Sequence, residues 1–195
     1  MTVGLPASPA ARRPRRADAR RNYDRLLDAA REAVAAHGAD ASLDDIARRA
    51  GVGSGTLYRH FPSRAALLEA VFHDQVEALL EQADALCVHT DPGTALDRWL
   101  QAVLQHSIRY RGLAASLRAA LVREGADLTW CHAAMTAAAD RLVIRAKAAG
   151  AIRPEVAAGD LLKLINGLAL ANVDCADADE GSARMLGYLL AGIRT

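Results

Sequence analysis

The stretch SLDDIARRAGVGSGTLYRHFPSR, Ser42 to Arg64, decides how this chain is read. It sets Gly51, Gly53 and Gly55 close together, and glycine-dense loops often cradle phosphate groups. Two nucleotide readings fail on chemistry. A dinucleotide fingerprint needs a glycine where Thr56 stands and a strand before it, whereas Asp44 to Ala50 is charged and helical in pattern. A phosphate-binding loop needs a Gly-Lys pair at its end, and the first lysine of the chain is Lys147. A helix-turn-helix accounts for the whole stretch. Ser42 opens an S-x-x-D capping box, Leu43, Ile46 and Ala47 form the inner face of a short helix, and Gly51 ends it. Val52 and Gly53 make the turn. A second short helix from about Ser54 to Phe61 presents Ser, Thr, Tyr, Arg and His, side chains that reach base edges and phosphates. Pro62 stops it, and Ser63 offers the next N-cap.

The chain on either side follows the same helical period. Asn22 to His37 puts Leu26, Ala30, Ala33, Val34 and His37 on one stripe, ended by Gly38. Residues 1–19, with Pro6, Pro9 and Pro14 among arginines, read as a flexible basic arm or simply a solvated tail. From Arg64 a long helix of about six turns runs to Leu86. Asp91-Pro92-Gly93 breaks it. Further helices are expected over Thr94–Tyr110, between Gly112 and Gly125, and over Leu128–Ala149, Pro154–Cys175 and Glu180–Ile193. No segment alternates with period two. The expectation is an all-α chain of about nine helices, with a three-helix DNA-binding head over residues 20–66 and a larger helical bundle over residues 67–195.

Charge is divided between these parts. Residues 1–64 hold twelve arginines against seven acidic residues, while the remainder is net acidic, within an overall charge of +1. The first part suits a polyanion and the second does not. Cys87, Cys131 and Cys175 are odd in number and far apart, so a disulfide framework is not expected and a reducing cytoplasm is. The first residues lack the apolar core of a secretory signal, and no apolar run is long enough to span a membrane. Cys131-His132 lacks the further ligands of a tetrahedral metal site. No catalytic spacing is visible, and no metal or cofactor is expected.

The run from Ser42 to Phe72, with D-I-A-x-x-A-G-V at the turn and T-L-Y-x-H-F after it, resembles the DNA-binding segment of TetR-family transcriptional regulators. The likeness covers about the first seventy residues. It implies a homodimer with two DNA-binding heads, in which residues 67–195 bind a ligand and dimerise. It further implies a repressor released from a palindromic operator by a small apolar or amphipathic effector. Carried over position by position, it implies DNA contact by Ser42, Ser54, Thr56, Tyr58, Arg59, His60 and Arg64. Ser42 and His60 would meet phosphate, Tyr58 phosphate and a thymine methyl, and Arg64 the backbone at the start of the fourth helix. Gly53 and Ser54 depart from the family, which often has a polar residue at the first position and Lys or Pro at the second; a contact is lost there.

In the larger part, Trp99, Val103, His106 and Tyr110 share one stripe of the fifth helix, and Met135 and Asn166 sit amid apolar neighbours later on. Together they are the candidate lining of an effector pocket, or else a packed core with a few satisfied polar groups. The last two helices carry broad apolar faces. Leu161, Leu164, Ile165, Leu168 and Val173 form one, and Met185, Leu186, Leu189, Leu190 and Ile193 the other. The resemblance implies a four-helix dimer interface through Leu161, Ile165, Leu168, Leu186, Leu189 and Leu190; an intrachain bundle is the alternative. Two other functional readings stay open: a helical enzyme or cofactor carrier using His106, and an interaction module with an inert helix-turn-helix.

Overall fold

The computed structural model describes residues 14, 16–110, 129–171 and 178–195. The helix expected between Gly112 and Gly125, most of the basic arm, Val173 and Cys175 lie outside the described residues. Among the described residues the chain forms eight α-helices, a short 3₁₀ turn (Gly38–Asp40) and one isolated bridge. In chain order the helices are α1 (Ala17–His37), α2 (Leu43–Arg49), α3 (Ser54–His60), α4 (Arg64–Leu86), α5 (Pro92–Arg109), α6 (Thr129–Ala148), α7 (Ala158–Ala171) and α8 (Ala178–Ile193). The fold is all-α.

Local chemistry sets the boundaries. α1 begins five residues ahead of Asn22, with Asp18 in its first turn, where a carboxylate suits the helix dipole, and an Arg21–Asp18 ion pair. It ends at Gly38, which takes φ 66°, and His37 lies exposed in the last turn rather than on the inner stripe. The Ser42 hydroxyl accepts the Asp45 N–H at 3.3 Å and starts α2. Gly51 turns the chain out of α2 with φ 65°. The Ser63 hydroxyl accepts the Ala66 N–H at 3.1 Å at the start of α4. α5 starts two residues before Thr94 because the Asp91 carboxylate accepts the Gly93 N–H at 3.0 Å and Pro92 occupies the first helical position, where no N–H is needed. α7 starts four residues later than Pro154. Ile152 is bridged to Arg194 and the Arg153 N–H donates to the Ile193 carbonyl at 2.9 Å, which holds that stretch extended.

The chain divides into two compact units, and α4 contributes to both: residues up to Gln75, with Trp130, belong to the first, and Val76 begins the second. In the first, Tyr23, Leu26, Leu27, Ile46, Leu57, Phe61 and Leu67 are buried. Tyr23 packs on Phe61 with ring centroids 5.0 Å apart, and His73 stacks on Trp130 at 4.4 Å. In the second, Leu79, Leu96, Trp99, Leu100, Leu104, Leu142, Leu161 and Ile165 form the centre of one apolar cluster. The Arg145 guanidinium of α6 donates to the carbonyls of Leu86 (3.3 Å) and His89 (2.9 Å), satisfying the end of α4.

Candidate nucleic-acid interface

α3 is fixed by its apolar side. Leu57 is buried, and Phe61, just past the helix end, is buried against Tyr23. The α2–α3 turn is held by the Val52 N–H, which donates to the Ala47 carbonyl at 3.0 Å. With Leu57 inward, the helical period turns Ser54, Gly55, Tyr58 and Arg59 out to solvent, and Thr56 and His60 are half-buried beside them. Tyr58 is 49% exposed, unusual for an aromatic side chain with a buried alternative one residue away. Burial first, and the neighbouring Arg59 guanidinium second, hold the His60 imidazole below the usual histidine range. At neutral pH the ring is therefore uncharged and donates through a single nitrogen. The surface offers hydroxyls, a phenol and a guanidinium.

Ser42 is exposed, and its hydroxyl is engaged as the N-cap of α2. Arg64 has a job that spacing did not announce. Its Nη1 donates to the carbonyls of Ala39 at 3.0 Å and Ala41 at 2.5 Å, so part of the guanidinium is spent on the chain itself. Arg25, not singled out from the sequence, lies over the turn, its Nη1 3.6 Å from where a Cβ on Gly51 would stand. Its only sequence signal was a basic residue one turn after Arg21.

The second unit sorts the expected pocket residues into two groups. Trp99 and Val103 lie inside the packed cluster, and the Trp99 indole N–H donates to the Leu79 carbonyl at 2.9 Å. Trp99 therefore acts as a core anchor between α5 and α4 and shows no surface to a ligand in this conformation. His106 and Tyr110, one turn apart at the end of α5, have ring centroids 5.1 Å apart. Burial pushes the His106 imidazole down to about 4. Asn166 of α7 reaches the same stretch of α5, its Oδ1 accepting the Ser107 hydroxyl at 3.2 Å. Met135 of α6 is half-buried against the core. Ser107 was missed from the sequence because it lies off the apolar stripe; only its adjacency to His106 hinted at it.

The six residues expected at a dimer interface fall into two settings. Leu161, Ile165, Leu186 and Leu190 are buried in the chain's own apolar cluster, and Leu168 and Leu189 are half-buried against it. The intrachain core claims these faces because α5, α7 and α8 pack on one another. A second stripe is left outside. On α7 it runs through Leu164, Gly167, Leu168 and Ala171, and on α8 through Met185, Tyr188, Leu189 and Gly192. Each follows the i, i+3, i+4, i+7 spacing of one helix face. Leu164 is 51% and Tyr188 70% exposed.

Comparisons with known proteins agree on both parts of the chain. Residues 26–71 match the family described as bacterial regulatory proteins, tetR family, and residues 91–195 match the SbtR-like transcriptional regulator C-terminal domain. A TetR transcriptional regulator from Streptomyces coelicolor is 34% identical, with a TM-score of 0.76 over 88% of this chain and 97% of that one. A TetR transcription regulatory protein from Mycobacterium vanbaalenii is also 34% identical, with a TM-score of 0.65 over 93% of this chain and all of that one. Among curated relatives, the transcriptional repressor LfrR of Mycolicibacterium smegmatis is 45% identical over 62 residues, 30% of this chain and 32% of that protein. The regulator TtgW of Pseudomonas putida is 46% identical over 56 residues, 28% of this chain and 42% of that protein. These matches thus span less than half the length of the curated relatives.

Proposed function

Because the chain belongs to the TetR family of bacterial transcriptional regulators, we propose that it is a dimeric repressor, released from a palindromic operator by a small apolar or amphipathic effector. The observation that carries this reading is the outward face of α3. Ser54, Tyr58 and Arg59 are exposed on a short helix whose apolar residue, Leu57, is buried. Such a helix fits a major groove, with Ser54 and Thr56 toward base edges and Tyr58, Arg59 and His60 toward phosphates. Ser42 and the remaining nitrogens of Arg64 flank it on the backbone side. Two copies would read half-sites about 34–36 Å apart or a multiple of that distance.

The outer stripes of α7 and α8 are the surface for the second copy. Glycines in both stripes let helices approach closely, and no atom lies within 4 Å of a Cβ built on Gly167 or Gly192. An effector is expected among α5, α6 and α7, with His106, Tyr110, Ser107, Asn166 and Met135 as its contacts. It acts by preferring the conformation in which the two heads no longer match the operator spacing.

Titration of the full chain against labelled DNA from the region beside its own gene tests the reading, with unrelated DNA as control and anisotropy read at two salt concentrations. Specific binding that weakens steeply with salt is the expected result, since each neutralised phosphate adds about 0.9 to the log–log slope. Equal, weak binding to both DNAs at both salts would overturn it for that operator.

A further inference from the structure

Among the described residues, two polar side-chain tethers join α4 to the rest of the first unit, beside the stacking of His73 on Trp130. At the start of α4, Arg64 Nη1 donates to the Ala39 and Ala41 carbonyls, on the connection that leads to Ser42 and α2. Three turns later, Asp74 Oδ2 lies 2.8 Å from Arg31 Nε of α1. Arg31 also holds Asp28 of its own helix, with Nη1 2.6 Å from Oδ1. The two ion pairs differ in kind. Asp28 is largely exposed, and such an i, i+3 pair contributes little. The Asp74 side chain is only 14% exposed and also accepts from Gln75 Nε2 at 3.3 Å, so removing Arg31 takes an opposite charge away from a carboxylate partly out of water.

Spacing gives the two tethers their meaning. Arg64 and Asp74 are ten residues apart on one helix, about 15 Å along its axis. One attachment would leave a helix free to swing about it, whereas two this far apart fix its direction. α1 is in turn tied to α2, Arg49 Nη2 lying 2.6 Å from Glu32 Oε2. The helix-turn-helix and the first three turns of α4 are therefore braced as one body by polar contacts as well as by their apolar core. Beyond Gln75 the same helix enters the second unit.

We infer that Arg31, through Asp74, and Arg64 are positioning residues that fix the direction of α4 relative to the helix-turn-helix, and so set the orientation in which each head is offered to a two-half-site operator. The inference rests on the DNA-binding reading above. Neither Arg31 nor Asp74 is among the residues assigned to DNA contact, so one head should recognise one half-site without their pair. They matter where two heads must bind at once, because a small error in direction at α4 becomes an error in the spacing of the heads.

The test uses the full chain with two duplexes. One is selected from a random-sequence library by the wild-type protein, and the other is the same duplex with one half-site scrambled. Arg31→Met and Asp74→Asn are each expected to weaken binding to the palindrome about tenfold, with less than about a twofold change on the scrambled duplex. The double variant is expected to lose less than the sum of the two single losses, since both remove the Arg31–Asp74 pair. Arg64→Lys, which keeps the charge but loses the Nη1 that bonds both carbonyls, is expected to weaken binding to both duplexes, because Arg64 also flanks the DNA backbone, and to weaken the palindrome the more. Equal losses on both duplexes would reduce the pair to a stabiliser of the head and overturn the inference. Unchanged palindrome binding, or additive losses in the double variant, would overturn it as well. If Arg31→Met fails to fold by circular dichroism, Asp74→Asn still decides the matter. A wild-type protein that selects no duplex at all removes the DNA-binding reading itself, and this inference with it.

Discussion

A histidine taken out of water resists protonation, and His106 does so strongly: burial lowers it from 6.5 to about 4. In the unfolded chain the ring takes a proton near its ordinary value, so at intermediate pH the unfolded state binds more protons than the folded one. The stability this group contributes is complete above its unfolded value of 6.5 and is lost as pH falls toward about 4. Urea midpoints measured from about pH 7 down to about pH 5 should therefore fall, and fall less steeply in His106→Gln, which keeps a polar group without the titration. Identical slopes would place the ring in water. His60 is shifted the same way, so part of the slope persists in that variant. Tyr58 gives the opposite kind of prediction. Being half exposed, it can be cut to alanine with less than about 0.5 kcal/mol lost in stability. Operator affinity should nonetheless drop by about tenfold, the scale of one good contact to DNA. Tyr58→Phe separates the two contacts expected of this residue: loss as large as in Tyr58→Ala assigns the effect to the hydroxyl and phosphate, and retained affinity to the ring.

At the scale of elements, the caps carry the argument. Gly51 has φ 65° with only the Arg25 guanidinium near a would-be Cβ, at an ordinary 3.6 Å. Gly51→Ala should thus cost about 1–2 kcal/mol through the backbone alone, seen as a lower denaturation midpoint. Ser42→Ala should cost about 1 kcal/mol for the lost cap of α2. These elements were legible in the sequence because their signals are local. Ser42 with Asp45, Gly38, Gly51 and Ser63 each act within a few residues, and the structure has a helix boundary at every one. α7 shows where local reading fails. Pro154 looks like a first helical residue, yet Arg153 is bonded to Ile193 at the far end of the chain, and no window of sequence contains that partner. Trp99 and Arg64 follow the same rule. A tryptophan on an apolar stripe serves a pocket or a core equally well, and only the Leu79 carbonyl, twenty residues away, assigns it to the core. The basic residue opening α4 reads as a phosphate clamp, and no local window shows the second role that its Ala39 and Ala41 carbonyl partners give it.

For the whole molecule, the question is which apolar residues of the last two helices serve the chain and which serve a second copy. Periodicity finds a face, but a helix with two faces, one inward and one outward, gives a broad band in which they merge. The structure separates them. Leu161, Ile165, Leu186 and Leu190 belong to the chain's own core, while Leu164 and Tyr188 stand in solvent. The two sets predict different failures. Leu161→Ala removes a buried side chain and should cost about 2–5 kcal/mol of stability. Leu164→Asp and Tyr188→Asp change exposed side chains outside the buried cluster and should leave the helical content and the unfolding midpoint of the subunit nearly intact. If the outer stripe is where two copies meet, each puts a charge into an apolar interface twice, once per copy of a two-fold assembly. Sedimentation at micromolar concentration should then show a dimer for the wild type and a shift toward monomer for both variants, with palindrome binding reduced far more than half-site binding. A dimer of unchanged strength in both variants would move the interface away from α7 and α8. A monomeric wild type would remove the need for the outer stripe altogether, and with it the reason for two heads on one operator.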